Sequence, residues 1–288
     1  MTARAPVEPT SPFADLAFHV LAHLDVPGHT SLFDSRYVRW ARSGLSAGAV
    51  EAIAEDAAVL SALHAAEPHV ESVHALPFLH ARIEDMLRSA ARPLEELTRA
   101  DVADAGVLEA LRSVDAKLVE ILRADLALAG AAYARAFEER IRPALERACD
   151  ALRDAYAIAC DLMPSLLTAR VELAHPLGAR GRVIRDRIVV GAPAEWNDVT
   201  PESAIVLAMH ERAVSLARGE WADVEWHALR EVARRVEHAP ESLADAHRRW
   251  LDGLDLRSLL DTVRERDPRA EALRDCPDRA ETLRRILA

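Results

Sequence analysis

Apolar residues recur along most of this chain at steps of three and four, the period of a helix with one buried face. Ser11 supplies an N-cap and Pro12 the first helical position, predicting a helix to Leu24 that Asp25-Val26-Pro27-Gly28 closes. Phe33, Tyr37 and Trp40 then fall on one helical face. Further helices are predicted over Ser46–Ala66, Leu76–Ala91 and Val102–Val114, each bounded by a proline or a capping residue. The longest run, Ala116 to Met163, repeats Leu118, Leu122, Leu126, Tyr133, Phe137 and Ile141, then Leu145, Ala148, Leu152, Ala155 and Ala159. Pro143 should kink or divide it and Pro164 should end it.

After Pro164 the period shortens to two. Val171 and Leu173 alternate with Arg170 and Glu172, and after a turn from His175 to Gly181 the run Val183 to Val190 is rich in β-branched residues. This predicts a hairpin, which must pack on helices because an isolated one is only marginally stable. Thr200-Pro201-Glu202 starts a helix to Arg218, and helices follow over Ala222–Val236, Pro240–Leu251, Leu256–Arg266 and Ala270–Leu287. The expected fold is mainly α, within the α+β class: a helical N-terminal lobe followed by a small β-hairpin packed on a helical C-terminal lobe. Residues 1–11 are expected as a flexible lead, 12–164 as the helical lobe and 165–288 as the hairpin with its helices.

Composition narrows the function classes. Half of the 288 residues are hydrophobic, enough for a sizeable core. A net charge of −11 argues against a broad nucleic-acid footprint, so no nucleic-acid partner is expected and proteins or peptides are favoured. No segment is apolar over about 18 residues, and Met1 to Thr10 lack the apolar core of a signal peptide, so no membrane partner and a cytoplasmic location are expected. Cys149, Cys160 and Cys276 have neither CxxC spacing nor a disulfide pattern and should be buried thiols. GxxxxGK[ST], GxGxxG and GxSxG patterns are missing from the sequence.

The candidate chemistry centres on His210 and Glu211, in the helix that follows the strands. Strand, turn, strand, loop and His-Glu helix, over Ala169 to Ala217, resemble the zincin metallopeptidases of the compact gluzincin type. In that family two histidines one turn apart bind zinc and the intervening glutamate is the general base. The resemblance implies His210 as the first metal ligand and Glu211 as the catalytic base, whereas Val214 stands where the second histidine would be. Replacement ligands are sought downstream, where His227 and Glu231 share a helix face and His238 and His247 follow. The candidate metal set is therefore His210, His227 and Glu231. The plainer alternative is a partly buried His210, on a face with Val206, Leu207 and Val214, hydrogen-bonded to a neighbour.

Asp15, His19 and His23 form a second stripe at four-residue steps, either a metal site or the wet side of an amphipathic helix. His64, His69, His74 and His80 are scattered nearby. Trp196, Trp221, Trp226 and Trp250 cluster late in the chain and are expected to fill a core. The expected function is a non-catalytic binding or regulatory protein with a degenerate zincin-like core and no resident cofactor. The alternatives are a zinc-dependent hydrolase using a non-standard ligand set, in which case zinc is the cofactor, and a helical structural or interaction protein.

Overall fold

The computed structural model describes residues 7–11, 14–15, 36–37, 39, 137–178, 181–184, 187–194, 196–217, 221–254, 260 and 278–287. The expected helices between residues 16 and 136, with His19, His23, His64, His69, His74 and His80, lie almost wholly outside them. Cys276 and the expected helix over 256–266 lie outside as well, apart from Leu260. Among the described residues the chain is mostly helical, with one small sheet.

The long helical run is divided at the expected proline. Helix α1, Arg142–Leu162, carries Pro143 in its first turn, and a π-helical turn, Phe137–Ile141, precedes it. The proline ring clashes with the carbonyl four residues back, which opens that turn. Leu145, Ala148, Cys149, Leu152, Tyr156, Ala159 and Cys160 form the buried stripe of α1. Both cysteines are buried and neither forms a disulfide, and burial pushes the Cys149 thiol up to about 12. After α1 a 3₁₀ turn, Pro164–Thr168, is pinned by the Tyr156 hydroxyl donating to the Leu166 carbonyl at 3.0 Å.

Strand pairing differs from the expected hairpin. Strands β1 (Val7–Pro9), β2 (Arg170–Ala174), β3 (Gly181–Ile184) and β4 (Arg187–Gly191) form one sheet in the order β1-β2-β4-β3. The antiparallel hairpin joins β3 to β4, both largely inside the single run expected as one strand, while β2 pairs in parallel with β4. Alternation fixes which face a residue takes but not which strand lies beside it, and central parallel strands are buried on both faces. Residues 7–9, expected in a flexible lead, add a parallel strand to β2, and Thr10 N–H extends the ladder to the Leu173 carbonyl at 2.9 Å.

Helix α2, Pro201–Leu216, starts where Thr200 and Ser203 cap each other: Ser203 N–H donates to Thr200 Oγ1 at 3.2 Å and Thr200 N–H to Ser203 Oγ at 2.8 Å. It is buried without a break from Ala204 to His210, as a helix that is apolar nearly all round must be. Around it stand α1, β3, β4 and two further helices, α3 (Trp221–Val236) and α4 (Glu241–Gly253). Helix α5, Arg279–Leu287, packs on α3, and Arg279 donates to the carbonyls of Leu251, Asp252 and Leu254 at the end of α4. Leu145 and Leu152 of α1 share one core with Val171, Ile188, Ile205 and Val232. No helix among the described residues is long and apolar enough to cross a membrane.

Candidate functional site

Because α2 is enclosed on nearly every side, a polar residue in its middle is held inside the protein. His210 is only 5% exposed. Its Nε2 lies 3.2 Å from Oε1 of Glu225, which α3 delivers, and its Nδ1 lies 3.6 Å from Oε1 of Glu211. Trp250 of α4 closes a third side, with ring centroids 4.8 Å apart. Glu225 is within contact distance but off the line of the ring N–H, and Glu211 is beyond hydrogen-bond reach, so neither nitrogen makes an aligned hydrogen bond. The interaction is an ion cluster: one imidazole between two carboxylates, in a site that water scarcely enters.

Burial by itself would disfavour the charged ring, but the carboxylates of Glu211 and Glu225 outweigh it and raise the His210 pKa to about 9. His210 is therefore an imidazolium at neutral pH. His247 of α4, whose ring is 5.8 Å from that of Trp250, moves the other way, to about 4, through its burial and the positive His210. Burial, with Arg140 adding to it, also lowers His175 to about 4.

These opposite shifts predict a stability maximum near neutrality. His210 binds its proton more tightly folded than unfolded, so its contribution is complete below about pH 6.5 and lost as pH rises through about 9. His175 and His247 are held neutral when folded, so their contributions are complete above about pH 6.5 and lost as pH falls towards about 4. Urea denaturation midpoints from pH 4 to 10 should fall on both flanks, and a profile still rising from pH 7 to 9 would contradict the assignment of charge to His210.

The expected metal set is not assembled: among the described residues no three His, Cys, Asp or Glu side chains converge as a metal site requires. The reason is helical phase. Glu225 faces α2, so His227, two residues on and about 200° round, is exposed to solvent. Glu231 is engaged by Arg235 at 2.7 Å and by Arg234, and although burial opposes it these arginines hold its carboxyl below the usual range. His238 is exposed. Val214 is one turn beyond His210 and packs against the core. His210 and Glu225 thus supply two donors where a catalytic zinc normally takes three from the protein, and the donor set does not fit that ion.

Glu211 is where the sequence places it, and the structure adds its setting. A Cβ built on Gly181 of β3 would lie 3.0 Å from Glu211 Cγ and 3.2 Å from Leu207 Cγ, so edge strand β3 rests directly on the His-Glu turn of α2. A larger residue there would require those side chains to give by a few tenths of an ångström. Glu225 was not among the sequence candidates, yet it had a signal: it falls in register with Ala228, Leu229, Val232 and Val236, the buried stripe of α3. A carboxylate on an apolar stripe requires a partner inside.

Asp15 is buried, not on a wet face. It accepts from the His175 N–H at 2.8 Å and from the Thr10 hydroxyl at 3.3 Å, tying the first residues to the sheet. Of the four tryptophans, Trp196 and Trp226 are buried and Trp250 is half-buried, as expected for core residues, and the Trp221 side chain lies outside the description. No protein-family model, curated protein or solved structure matches this chain.

Proposed function

We propose that this chain is a non-catalytic binding or regulatory protein with a degenerate zincin-type core, whose partner is an extended peptide segment paired to edge strand β3. The observation that carries the reading is Val214. It stands one helical turn from His210, where a His₂Glu zinc site would have its second histidine, beside a Glu225 suited to be the glutamate of such a set. His210 then holds α2 to α3 through its own charge, and the surface left for function is the sheet edge above it. An edge strand accepts a peptide through backbone hydrogen bonds and needs no metal. The buried thiols of Cys149 and Cys160, outside any disulfide, suit a reducing, cytoplasmic setting. A helical amino-terminal lobe over residues 12–164, followed by the hairpin and its helices, belongs to the same proposal.

The zinc content of the protein and of Val214→His tests it. After dialysis against a weak chelator, elemental analysis should find far less than one equivalent of zinc in the wild type and about one in V214H, with the third ligand restored. Val214 is only partly buried, which leaves room for the change.

A second reading, a zinc-dependent hydrolase, is favoured by one observation: Glu225, from a separate helix, lies beside His210 and supplies a second donor, to which a third ligand would have to be added. Stoichiometric zinc in the wild-type protein, lost in His210→Ala, would select it over the first.

A further inference from the structure

A cavity of about 680 Å³ lies away from the His210 cluster, between the start of α1 and the segment 192–201. That volume falls within the range of small-molecule sites. Its apolar wall is made of short side chains, Ala144 and Ala151 of α1 facing Pro193 and Val199. Its charge comes from Arg140, in the π-helical turn, and Arg147, in the second turn of α1, seven residues further along the chain.

Neither arginine makes an ion pair among the described residues. Their neighbours do: Arg142 takes Glu138 and Arg153 takes Asp150. In a chain with 47 acidic and 36 basic residues, two guanidiniums left without carboxylates beside one cavity are a site for a ligand that brings its own. Glu139 at the rim removes one charge and leaves the lining net positive, with His175 as a polar part of the wall. Pro201, at the first turn of α2, has no N–H to offer, so the arginines rather than the helix end supply the attraction.

We propose that this cavity binds a short aliphatic dicarboxylate, one carboxylate on Arg140 and the other on Arg147, with the methylene spacer against the alanine wall. One charge-assisted hydrogen-bonded contact is worth about a factor of ten or more in affinity. A monocarboxylate of equal length should therefore bind much more weakly, and a compact phosphate has no methylene spacer to lay against the alanine wall.

Calorimetric titration of the full chain with adipate, hexanoate and inorganic phosphate at low ionic strength tests this. Saturable adipate binding is expected, at least about tenfold tighter than hexanoate or phosphate and weakened at least about tenfold in R140A/R147A. Both arginines are exposed, so that variant should keep the wild-type circular dichroism. Ala144→Phe, which fills the cavity and leaves both charges, should also abolish binding. Three results would overturn the proposal: no saturable adipate binding, binding unchanged in both variants, or phosphate binding as tight as adipate.

Discussion

Gly191→Ala is expected to remove a large part of the folding stability of the chain. Gly191 ends β4 and pairs with Ala174 at the end of β2, and the backbone that leaves β2 folds back over it. A Cβ on Gly191 would lie 1.8 Å from the Gly178 carbonyl oxygen and 2.1 Å from that of Leu177. No rotamer relieves this overlap, because every obstructing atom belongs to the main chain. Either the turn from His175 to Gly178 lifts off β4 or the parallel β2–β4 pairing breaks, and both elements are buried. A cost above about 4 kcal/mol is expected, against a total stability of roughly 5–15 kcal/mol for an ordinary domain. Urea denaturation followed by far-UV circular dichroism measures it. Gly253→Ala is the control: a Cβ there meets nothing within 4 Å, and the change should stay within about 0.5 kcal/mol. A Gly191→Ala midpoint equal to that of the control would mean that the turn is not seated on β4.

His210→Ala should be nearly as damaging, for an electrostatic reason. Removing the imidazolium leaves Glu211 and Glu225, each only 15% exposed at the side chain, without the cation they share. Breaking a buried ion pair by deleting one partner costs about 3–5 kcal/mol, and Trp250 also loses the ring it packs against. In a protein of this size that corresponds to a fall of roughly 6–15 °C in Tm. The deficit should shrink at pH 10, where the wild type has given up its own His210 proton. Adding Glu225→Gln should recover part of the loss, since an amide needs no counter-ion. A His210→Ala protein with wild-type Tm at pH 7 would show that the cluster contributes nothing to holding α3 against α2.

The residues of that cluster differ in how far they could be read in advance. His210 and Glu211 are adjacent in sequence, and the cap at Thr200 together with the apolar run fixes their helix, so their joint position is a local matter. Glu225 comes from another helix. Its approach to His210 depends on how α3 turns back after α2, and no spacing rule within either helix specifies that angle. His227 and Glu231 made an attractive pair because four residues separate them, yet sharing a face says nothing about which way the face points. The stripe of Ala228, Leu229 and Val232 decides it, turning Glu225 inward and His227 out.

What the sequence determined by itself is therefore whatever short-range sterics and hydrogen bonding dictate. The division of the long helix at Pro143, its end at Pro164, the start of α2 at Thr200 and the strand character of residues 170–173, 183–184 and 187–190 follow from residues within a turn or two of each feature. The tertiary structure alone decided the parallel pairing of β2 with β4, the recruitment of Val7–Pro9 as a strand, the burial of Asp15 and the His210–Glu225 contact. Each joins segments distant along the chain. Their energies come from burying shared surface and matching charges across it, and such terms exist only once the partners have met.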